Sequence, residues 1–180
     1  LVEQGPQFAA MFNTVDSFDT HAKIPEYFES MNKTAKAAGK ASAISIGWDP
    51  GLFSLNRMLA GAVLPQGADH TFWGKGVSQG HSDAIRRIEG VKDAKQYTVP
   101  KQEIMDIVRS GKDSSVPANE AHTRECYVVA ERGADLAAIE KAIKTMPNYF
   151  VGYETKVNFV SEEEFRKHHS AISHGGFVFR

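Results

Sequence analysis

Three charged residues have types that could bind the charged groups of a small molecule. Asp19 follows the apolar segment 12–15, Asp49 follows the apolar segment 41–46, and Arg124 begins a later apolar segment. Carboxylates attract a cationic amine, whereas a guanidinium presents a planar fork that binds a carboxylate bidentately. The two aspartates could therefore bind a cationic amine, and Arg124 could bind a carboxylate.

Each of these residues also has a purely structural interpretation. Asp19 or Thr20 could cap the helix that follows, Asp49 could cap the helix beginning at Leu52, and Arg124 could be an ordinary surface residue. Judged singly, the structural interpretation is favoured for all three. The aspartates nevertheless follow successive strands, and ligands of open α/β sheets bind at the carboxyl ends of their strands. Their shared position, which Asp16 also has, favours ligand binding.

Two glycine-rich segments allow the main chain to come close to another group. The segment 74–80 contains Gly-x-Gly-x-x-x-Gly, a relaxed form of the dinucleotide fingerprint, but no acidic residue at a second strand end completes that motif. A glycine-rich turn near a ligand is favoured over a dinucleotide site. His174, directly before Gly175 and Gly176, is suggestive for the same reason.

The remaining histidines and the single cysteine predict no metal site. His81, Ser82 and Asp83 are the residue types of a catalytic triad, but residues adjacent in sequence do not give the converging side chains that a triad needs. The chain has no His-Glu-x-x-His segment, and Cys126 alone cannot form a Cys-based zinc site.

The elements expected to position these residues fall into two groups. A strand at 12–15, a helix at 25–38 and a buried strand at 41–46 predict a βαβ unit with parallel strands, which the turn Gly47–Gly51 ends. The later elements predict an α+β domain with a mixed or antiparallel sheet. They are strands at 70–73, 95–99, 124–130, 150–160 and 177–179, and helices at 52–64, 82–88, 101–110, 136–146 and 162–168.

The composition is that of an ordinary soluble protein and gives no reason to expect a nucleic-acid or membrane partner. Hydrophobic residues make up 42% of the 180 residues and the formal net charge is -1, so there is no bulk electrostatic reason to expect nucleic acid or a membrane surface. No apolar run approaches the roughly 20 residues of a membrane span. One cysteine fits a reducing cytoplasm. The start lacks Met and signal-peptide features, so we expect a piece of a longer protein.

A series of segments along nearly the whole chain resembles the meso-diaminopimelate dehydrogenase family. The segments occur in family order with little insertion or deletion, and the series is far more specific than any one of them. They are residues 14–21, 47–54, 70–83, 96–98, 122–124, 146–154 and 174–176.

The resemblance implies a fold of mixed class, α/β and α+β. Residues 1–47 would be the C-terminal remnant of a Rossmann-type nucleotide domain, and residues 48–180 a substrate-binding and dimerisation domain with a mixed sheet. The implied protein is a cytoplasmic homodimer that binds neither nucleic acid nor membranes. The family's glycine fingerprint lies before the first residue of this chain, so no NADP-binding residue is assigned here.

The resemblance also implies an activity and a set of site residues. The activity is NADP-dependent oxidative deamination of the D-centre of meso-2,6-diaminopimelate to L-2-amino-6-oxopimelate, which cyclises to tetrahydrodipicolinate in lysine biosynthesis. The chain by itself is expected to be inactive. The implied residues are Asp19 and Asp49 as catalytic partners of the reacting amino group, Trp48, Trp73, Gln79 and Gly80 along the substrate, and Thr98, Arg124 and His174 at the distal end.

Two alternatives remain open on the sequence. The chain could be the substrate domain of another two-domain NAD(P)-dependent oxidoreductase that acts on a sugar or hydroxy acid, which a lysine in the Gly47–Gly51 turn would favour; that turn contains no lysine. It could also be a non-catalytic ligand-binding or dimerisation module that never had a nucleotide domain.

Overall fold

The computed structural model describes residues 1–112, 116–171 and 173–180. The chain divides into two compact units, the first comprising Leu1–Asp69 with Arg180 and the second comprising His70–Phe179. The predicted domain boundary after residue 47 therefore differs from the division between compact units. Compact units and domains need not coincide, and the assignment of residues 48–69 to the second domain stays a prediction.

The first unit contains the predicted βαβ arrangement. Strands β1 and β2 are parallel, with Thr14 opposite Ser42, and helix α2 connects them. The strands are shorter than predicted. The elements are α1 (Gln4–Ala9), β1 (Thr14–Val15), a 3-10 helix (His21–Lys23), α2 (Ile24–Ala38), β2 (Ser42–Ala43) and α3 (Leu52–Val63).

Helix α2 buries one stripe of its surface and holds the first unit together. Tyr27, Met31 and Ala35 recur at a spacing of four residues, which places them on one face. They pack with Ala9 of α1 and with Phe18. Gly39, with a left-handed φ of 63°, ends the helix as its position in the sequence predicts.

Asp16 stabilises this unit through three hydrogen bonds. Its Oδ1 accepts from the main-chain N–H of Phe18 at 3.0 Å and of Ser45 at 3.1 Å, and its Oδ2 accepts from the Tyr27 hydroxyl at 2.7 Å. Burial, followed by the bond to Asp16, raises the pKa of Tyr27. Asp16 thus joins the ends of β1 and β2 to α2, which is a structural role distinct from capping a helix.

The second unit is built on a four-stranded mixed sheet in the order β4-β5-β6-β7, beside the antiparallel pair β3-β8. The β5-β6 pair is antiparallel and the β6-β7 pair is parallel, which confirms the predicted mixed sheet. The elements are β3 (His70–Trp73), β4 (Gly76–Val77), α4 (Gln79–Arg86), β5 (Val91–Pro100), α5 (Gln102–Arg109), α6 (Ala118–Ala121), β6 (His122–Ala130), α7 (Leu136–Lys144), β7 (Glu154–Phe159), α8 (Glu162–His168) and β8 (Gly176–Phe179).

Several boundaries in this unit differ from the sequence prediction, among them the start of β5, which is Val91 rather than residue 95. Helix α4 begins at Gln79 rather than at Ser82, and β7 begins at Glu154 rather than at residue 150. Asn148 and Gly152 have positive φ values of 66° and 86°, which belong to a turn and not to a strand. The apolar residues 150–151 therefore precede the strand instead of extending it.

The core of the second unit lies on one face of the mixed sheet. Buried residues from α4, α7, strands β5 and β6 and the turn before β7 form a continuous cluster: Ile85, Val91, Ala94, Cys126, Val128, Ile139, Ile143 and Phe150. Because side chains alternate along a strand, Gln96 and Thr98 of β5 continue the face of Ala94. The same face of β6 carries Arg124. Among the described residues, no helix combines the length and apolar character needed to cross a membrane.

Candidate functional site

Arg124 is buried in the second unit, next to a strand partner that it contacts directly. Thr98 and Arg124 are opposite each other in the β5-β6 pair, and their relative exposures are 5% and 9%. Arg124 Nη1 donates to Thr98 Oγ1. The alternative that Arg124 is an ordinary surface residue is therefore wrong.

The surroundings of the Arg124 guanidinium are polar or aromatic but uncharged. Gln96 Nε2 donates to Thr98 Oγ1 at 3.3 Å, and the guanidinium carbon lies 4.1 Å from the centre of the Tyr153 ring. Burial lowers the pKa of Arg124, which Tyr153 opposes, but a guanidinium stays protonated at any physiological pH. Within the described part of the chain, no carboxylate pairs with it. The site can therefore accept an anion.

His174 and Trp73 lie together beside the glycine-rich turn. Their rings stack with centroids 5.7 Å apart and planes 15° from parallel, and His174 Nδ1 lies 3.0 Å from the main-chain oxygen of Val77. A Cβ at Gly76 would be only 3.2 Å from His174 Cα. The main chain of this turn thus comes close to residue 174 of the same unit, and the predicted approach to a ligand stays a prediction.

Gln79 and Gly80 are exposed in the first turn of α4, and the next residue, His81, turns inward. Burial, aided by the positive charge of Arg124, lowers the pKa of His81 to about 4. Its Nδ1 lies 2.8 Å from Ser78 Oγ, while Asp83 pairs with Arg87. His81 and Asp83 therefore do not form a catalytic triad, and His81 is uncharged near neutral pH.

His122 has a structural role. Its Nε2 accepts a hydrogen bond from the main-chain N–H of Trp73 at 2.9 Å, so the proton is on Nδ1, which donates to Ala118 O at 3.0 Å. Burial lowers the pKa of His122, which favours this neutral form. The ring fixes the main chain that carries Trp73.

Asp49 of the first unit forms an ion pair within that unit. Arg57 donates to Oδ2 at 3.0 Å and to Oδ1 at 2.5 Å, and Ser54 Oγ donates to Oδ1 at 3.2 Å. The residue before α3 is Gly51, whose N–H donates to Ser54 Oγ. Asp49 thus accepts from side chains rather than from the first amides of α3, and the capping alternative is not observed.

Asp19 is exposed and lies in the segment that follows β1. Neither Thr20 nor Lys23, the residues that precede the 3-10 helix and α2, makes a side-chain capping bond. His21 Nε2 lies 3.1 Å from the main-chain oxygen of Asp49, which joins the segment after β1 to the turn after β2. Both predicted acidic residues therefore belong to the same edge of the parallel pair. Trp48, at that edge, is 46% exposed.

The predicted site residues are distributed over both units. The first unit contains Asp19, Trp48 and Asp49; the second contains Trp73, Gln79, Gly80, Thr98, Arg124 and His174. Their roles stay predictions. A cavity of about 380 Å³ in the first unit is lined by residues of α1, β1 and α2 and contains none of these nine. Among the described residues, no group of three or more ligating side chains could hold a metal ion.

Three residues whose side chains contact predicted site residues were not singled out from the sequence. They are Arg57, Gln96 and Tyr153. Gln96 had a usable signal, because it is a polar residue at an inward position of an alternating strand, two residues before Thr98. The contacts of Arg57 and Tyr153 depend on turns that the sequence pattern does not fix.

Comparison with known proteins identifies the family. The model of the diaminopimelic acid dehydrogenase C-terminal domain matches residues 47–180. Meso-diaminopimelate D-dehydrogenase of Ureibacillus thermosphaericus is 62% identical over 180 residues, covering 100% of this chain and 55% of the relative. The chain therefore spans about half the length of the curated relatives it matches.

Solved structures agree with this match. Diaminopimelate dehydrogenase of Corynebacterium glutamicum in complex with DAP superposes with a TM-score of 0.90 at 49% identity, covering 98% of this chain and 55% of that one. An engineered D-amino acid dehydrogenase bound to NADP+ gives a TM-score of 0.84 at 46% identity, with 98% and 55% covered. Fold, motifs and sequence identity together show that the chain belongs to the diaminopimelate dehydrogenase family.

Proposed function

We propose that the intact protein oxidatively deaminates the D-centre of meso-2,6-diaminopimelate with NADP, giving L-2-amino-6-oxopimelate and ammonia. The single observation that carries the proposal is the buried charge of Arg124, which has no carboxylate partner among the described residues. An uncompensated buried charge is costly. A substrate carboxylate would supply the missing negative charge.

The second unit would hold the distal, L-configured end of the substrate. Arg124 presents hydrogen-bond donors that suit a carboxylate, and Thr98 fixes one edge of its guanidinium. His174, beside the glycine-rich turn 74–80, would add a polar ring edge. Gln79 and Gly80 would contact the substrate from the exposed first turn of α4, with Trp73 beside His174.

The first unit would hold the amino group of the reacting D-centre. The carboxylates of Asp19 and Asp49 would attract the ammonium, and one of them, directly or through water, would take the proton that the amine must lose before the Cα–H bond breaks. Negative charge there also stabilises the iminium as it forms. Arg57 and Ser54 fix the orientation of Asp49, and exposed Asp19 has a carboxylate accessible to a proton donor.

The residues present fit only the edge of a nucleotide site. The carboxyl ends of β1 and β2 are where open α/β sheets bind nucleotides, and Ser45 there has a buried hydroxyl without a hydrogen-bond partner in the described structure. NADP+, when bound, supplies the two-electron acceptor for the Cα–H bond. Ser45 would offer its hydroxyl to that ligand, while the phosphate-binding glycine motif is not part of this sequence.

The apolar surface of α3 supports the further proposal that the intact protein is a homodimer. Five large apolar side chains of this helix are roughly half or more exposed: Leu52, Leu55, Met58, Leu59 and Val63. An exposed apolar helix face of this kind marks an interface, and a second copy would cover it. We also place the protein in the cytoplasm, where the buried thiol of Cys126 stays reduced, without a nucleic-acid or membrane partner.

Turnover of the full-length protein tests the proposal. NADPH should form, followed by its absorbance, with meso-2,6-diaminopimelate and not with the LL-isomer, because only the meso form presents a D-centre while its L-end carboxylate binds Arg124. Equal rates with both isomers, or no NADPH from either, would contradict it. Sedimentation of the same protein checks the dimer.

A further inference from the structure

Gln96 is a fully buried polar residue whose main chain is fixed on both sides. Its N–H donates to Ser82 Oγ at 2.9 Å, and its carbonyl accepts from Ser78 N–H at 2.9 Å. Both contacts come from the start of α4. These two hydrogen bonds fix the main chain of Gln96. Burial of its side-chain amide is unfavourable unless the amide also forms hydrogen bonds.

The side chains of Gln96 and Arg124 share a hydrogen-bond acceptor, Thr98. Gln96 Nε2 and Arg124 Nη1 both donate to the hydroxyl oxygen of Thr98. Gln96 Oε1 and Arg124 Nε, an acceptor and a donor, are buried without hydrogen-bond partners in the described structure. The uncharged Gln96 amide is therefore linked to Arg124 through the Thr98 hydroxyl.

Tyr153 restrains the guanidinium from another direction. Its ring lies over the guanidinium carbon at 4.1 Å, a cation–π distance, and the ring is uncharged. Glu154, the next residue, pairs with Lys101 instead of Arg124. The described side chains that contact Arg124 therefore fix its position and leave its positive charge uncompensated.

We propose that Gln96 and Tyr153 are positioning residues that hold Arg124, through neutral contacts only, in the orientation that binds the distal carboxylate of the substrate. The proposal rests on the proposed function, because it assumes that the anion bound by Arg124 is a substrate carboxylate. A carboxylate at position 96 would pair with Arg124 and compete with the substrate for the same charge.

Gln96→Glu in the full-length enzyme provides the sharpest test, because it changes charge while keeping shape. The KM for meso-diaminopimelate should rise at least about 10-fold, with kcat changing less than about 3-fold and the KM for NADP unchanged. The unfolding temperature should be equal to or higher than that of the wild type, because the new carboxylate relieves a buried unpaired charge. Gln66→Glu, at an exposed turn, controls for the added negative charge.

A merely structural role of Gln96 would instead lower stability and weaken binding together. An unchanged KM, or a protein that is destabilised or fails to fold, overturns the assignment of Gln96. If the wild type itself does not oxidise meso-diaminopimelate, the proposed function fails, and this outcome is separate from a failure confined to the variant.

A second pair of variants tests Tyr153 independently. Tyr153→Leu removes the aromatic face and should raise the KM for meso-diaminopimelate by about 3- to 30-fold, the range expected from loss of a cation–π contact. Tyr153→Phe keeps the ring and should recover most of that affinity. Equal KM values for the Leu variant and the wild type, or no recovery by Phe, overturn the role of the ring.

Discussion

Asp49 of the first unit and Arg124 of the second unit carry opposite charges in different surroundings. Asp49 is paired with Arg57, and the two side chains are 19% and 26% exposed. Arg124 is more deeply buried and contacts Thr98, Gln96 through Thr98, and the ring of Tyr153, none of them charged. The chain therefore compensates the charge of Asp49 internally, whereas the charge of Arg124 has no carboxylate partner among the described residues.

A charged side chain that is paired within the protein and one that is held by neutral groups suit different roles. Pairing with Arg57 sets the direction of the Asp49 carboxylate and moderates its attraction for a cation, so Asp49 suits orientation and local charge stabilisation. Arg124 is held by neutral groups in a dry environment, where its attraction for an anion is strengthened. We expect Arg124 to contribute more to substrate affinity and Asp49 more to turnover.

Removing the charge of Arg124 should have the largest effect. In the full-length enzyme, Arg124→Met should lower kcat/KM for meso-diaminopimelate by about 100- to 1000-fold, mainly through KM, because the carboxylate loses a charge-assisted partner. The free energy of unfolding should be maintained or should increase, since an unpaired buried charge is removed. Steady-state kinetics and chemical denaturation measure the two quantities.

Arg132→Met, at an exposed position, is the matched control for Arg124→Met. If Arg124→Met kept a kcat/KM close to that of the wild type, Arg124 would not be the main contributor to substrate affinity. Reduced stability together with unchanged kinetics would show that the arginine is structural.

Asp49→Ala should produce the next largest effect, and on a different kinetic parameter. We expect kcat to fall by about 100-fold while the KM for NADP changes less than about 3-fold, because the carboxylate acts on the amino group rather than on the nucleotide. Arg57→Met should lower kcat less, since it removes only the orienting partner. If NADP binding weakened as much as turnover, or turnover survived, the assignment of Asp49 to substrate would be wrong.

The pH dependence of stability tests the neutral surroundings of Arg124. His81 binds a proton near pH 6.5 when unfolded and only near pH 4 when folded, because burial and Arg124 disfavour its charge. Between these values the unfolded state binds more protons, so stability falls as pH decreases from about 6.5 to about 4, by up to about 3 kcal/mol. Denaturation of the wild type and His81→Gln across this range should show a shallower decline in the variant, whereas parallel curves would mean that His81 titrates normally in the folded state.

Tyr27→Phe in the first unit should have the smallest effect. The variant loses the hydroxyl that donates to Asp16 Oδ2 at 2.7 Å, which should lower the free energy of unfolding by about 1–2 kcal/mol. Substrate and NADP KM values should not change, because Asp16 acts on the fold. Tyr149→Phe, at an exposed position of the second unit, serves as the control. A large kinetic change in Tyr27→Phe would indicate that Asp16 contributes to binding.

Secondary structure was predictable where local pattern and packing agree. Helix α8 and strand β3 have their predicted bounds, and α2 differs by one residue at its start. Helix α1 was not predicted, because Gly5 and Pro6 disfavour a helix on local grounds. A Cβ at residue 5 would collide with the Tyr27 hydroxyl, so packing against α2 favours glycine there.

The sequence by itself determined the family, the βαβ order of the first unit and the identities of the candidate residues, because these depend on residue types and spacing along the chain. Only the tertiary structure decided that Asp16 stabilises the fold, that Asp49 pairs with Arg57, and that Arg124 is buried among neutral groups. The physical reason is that compensation of a charge depends on which groups approach it in space. Those groups come from distant parts of the chain, as Gln96 and Tyr153 do around Arg124.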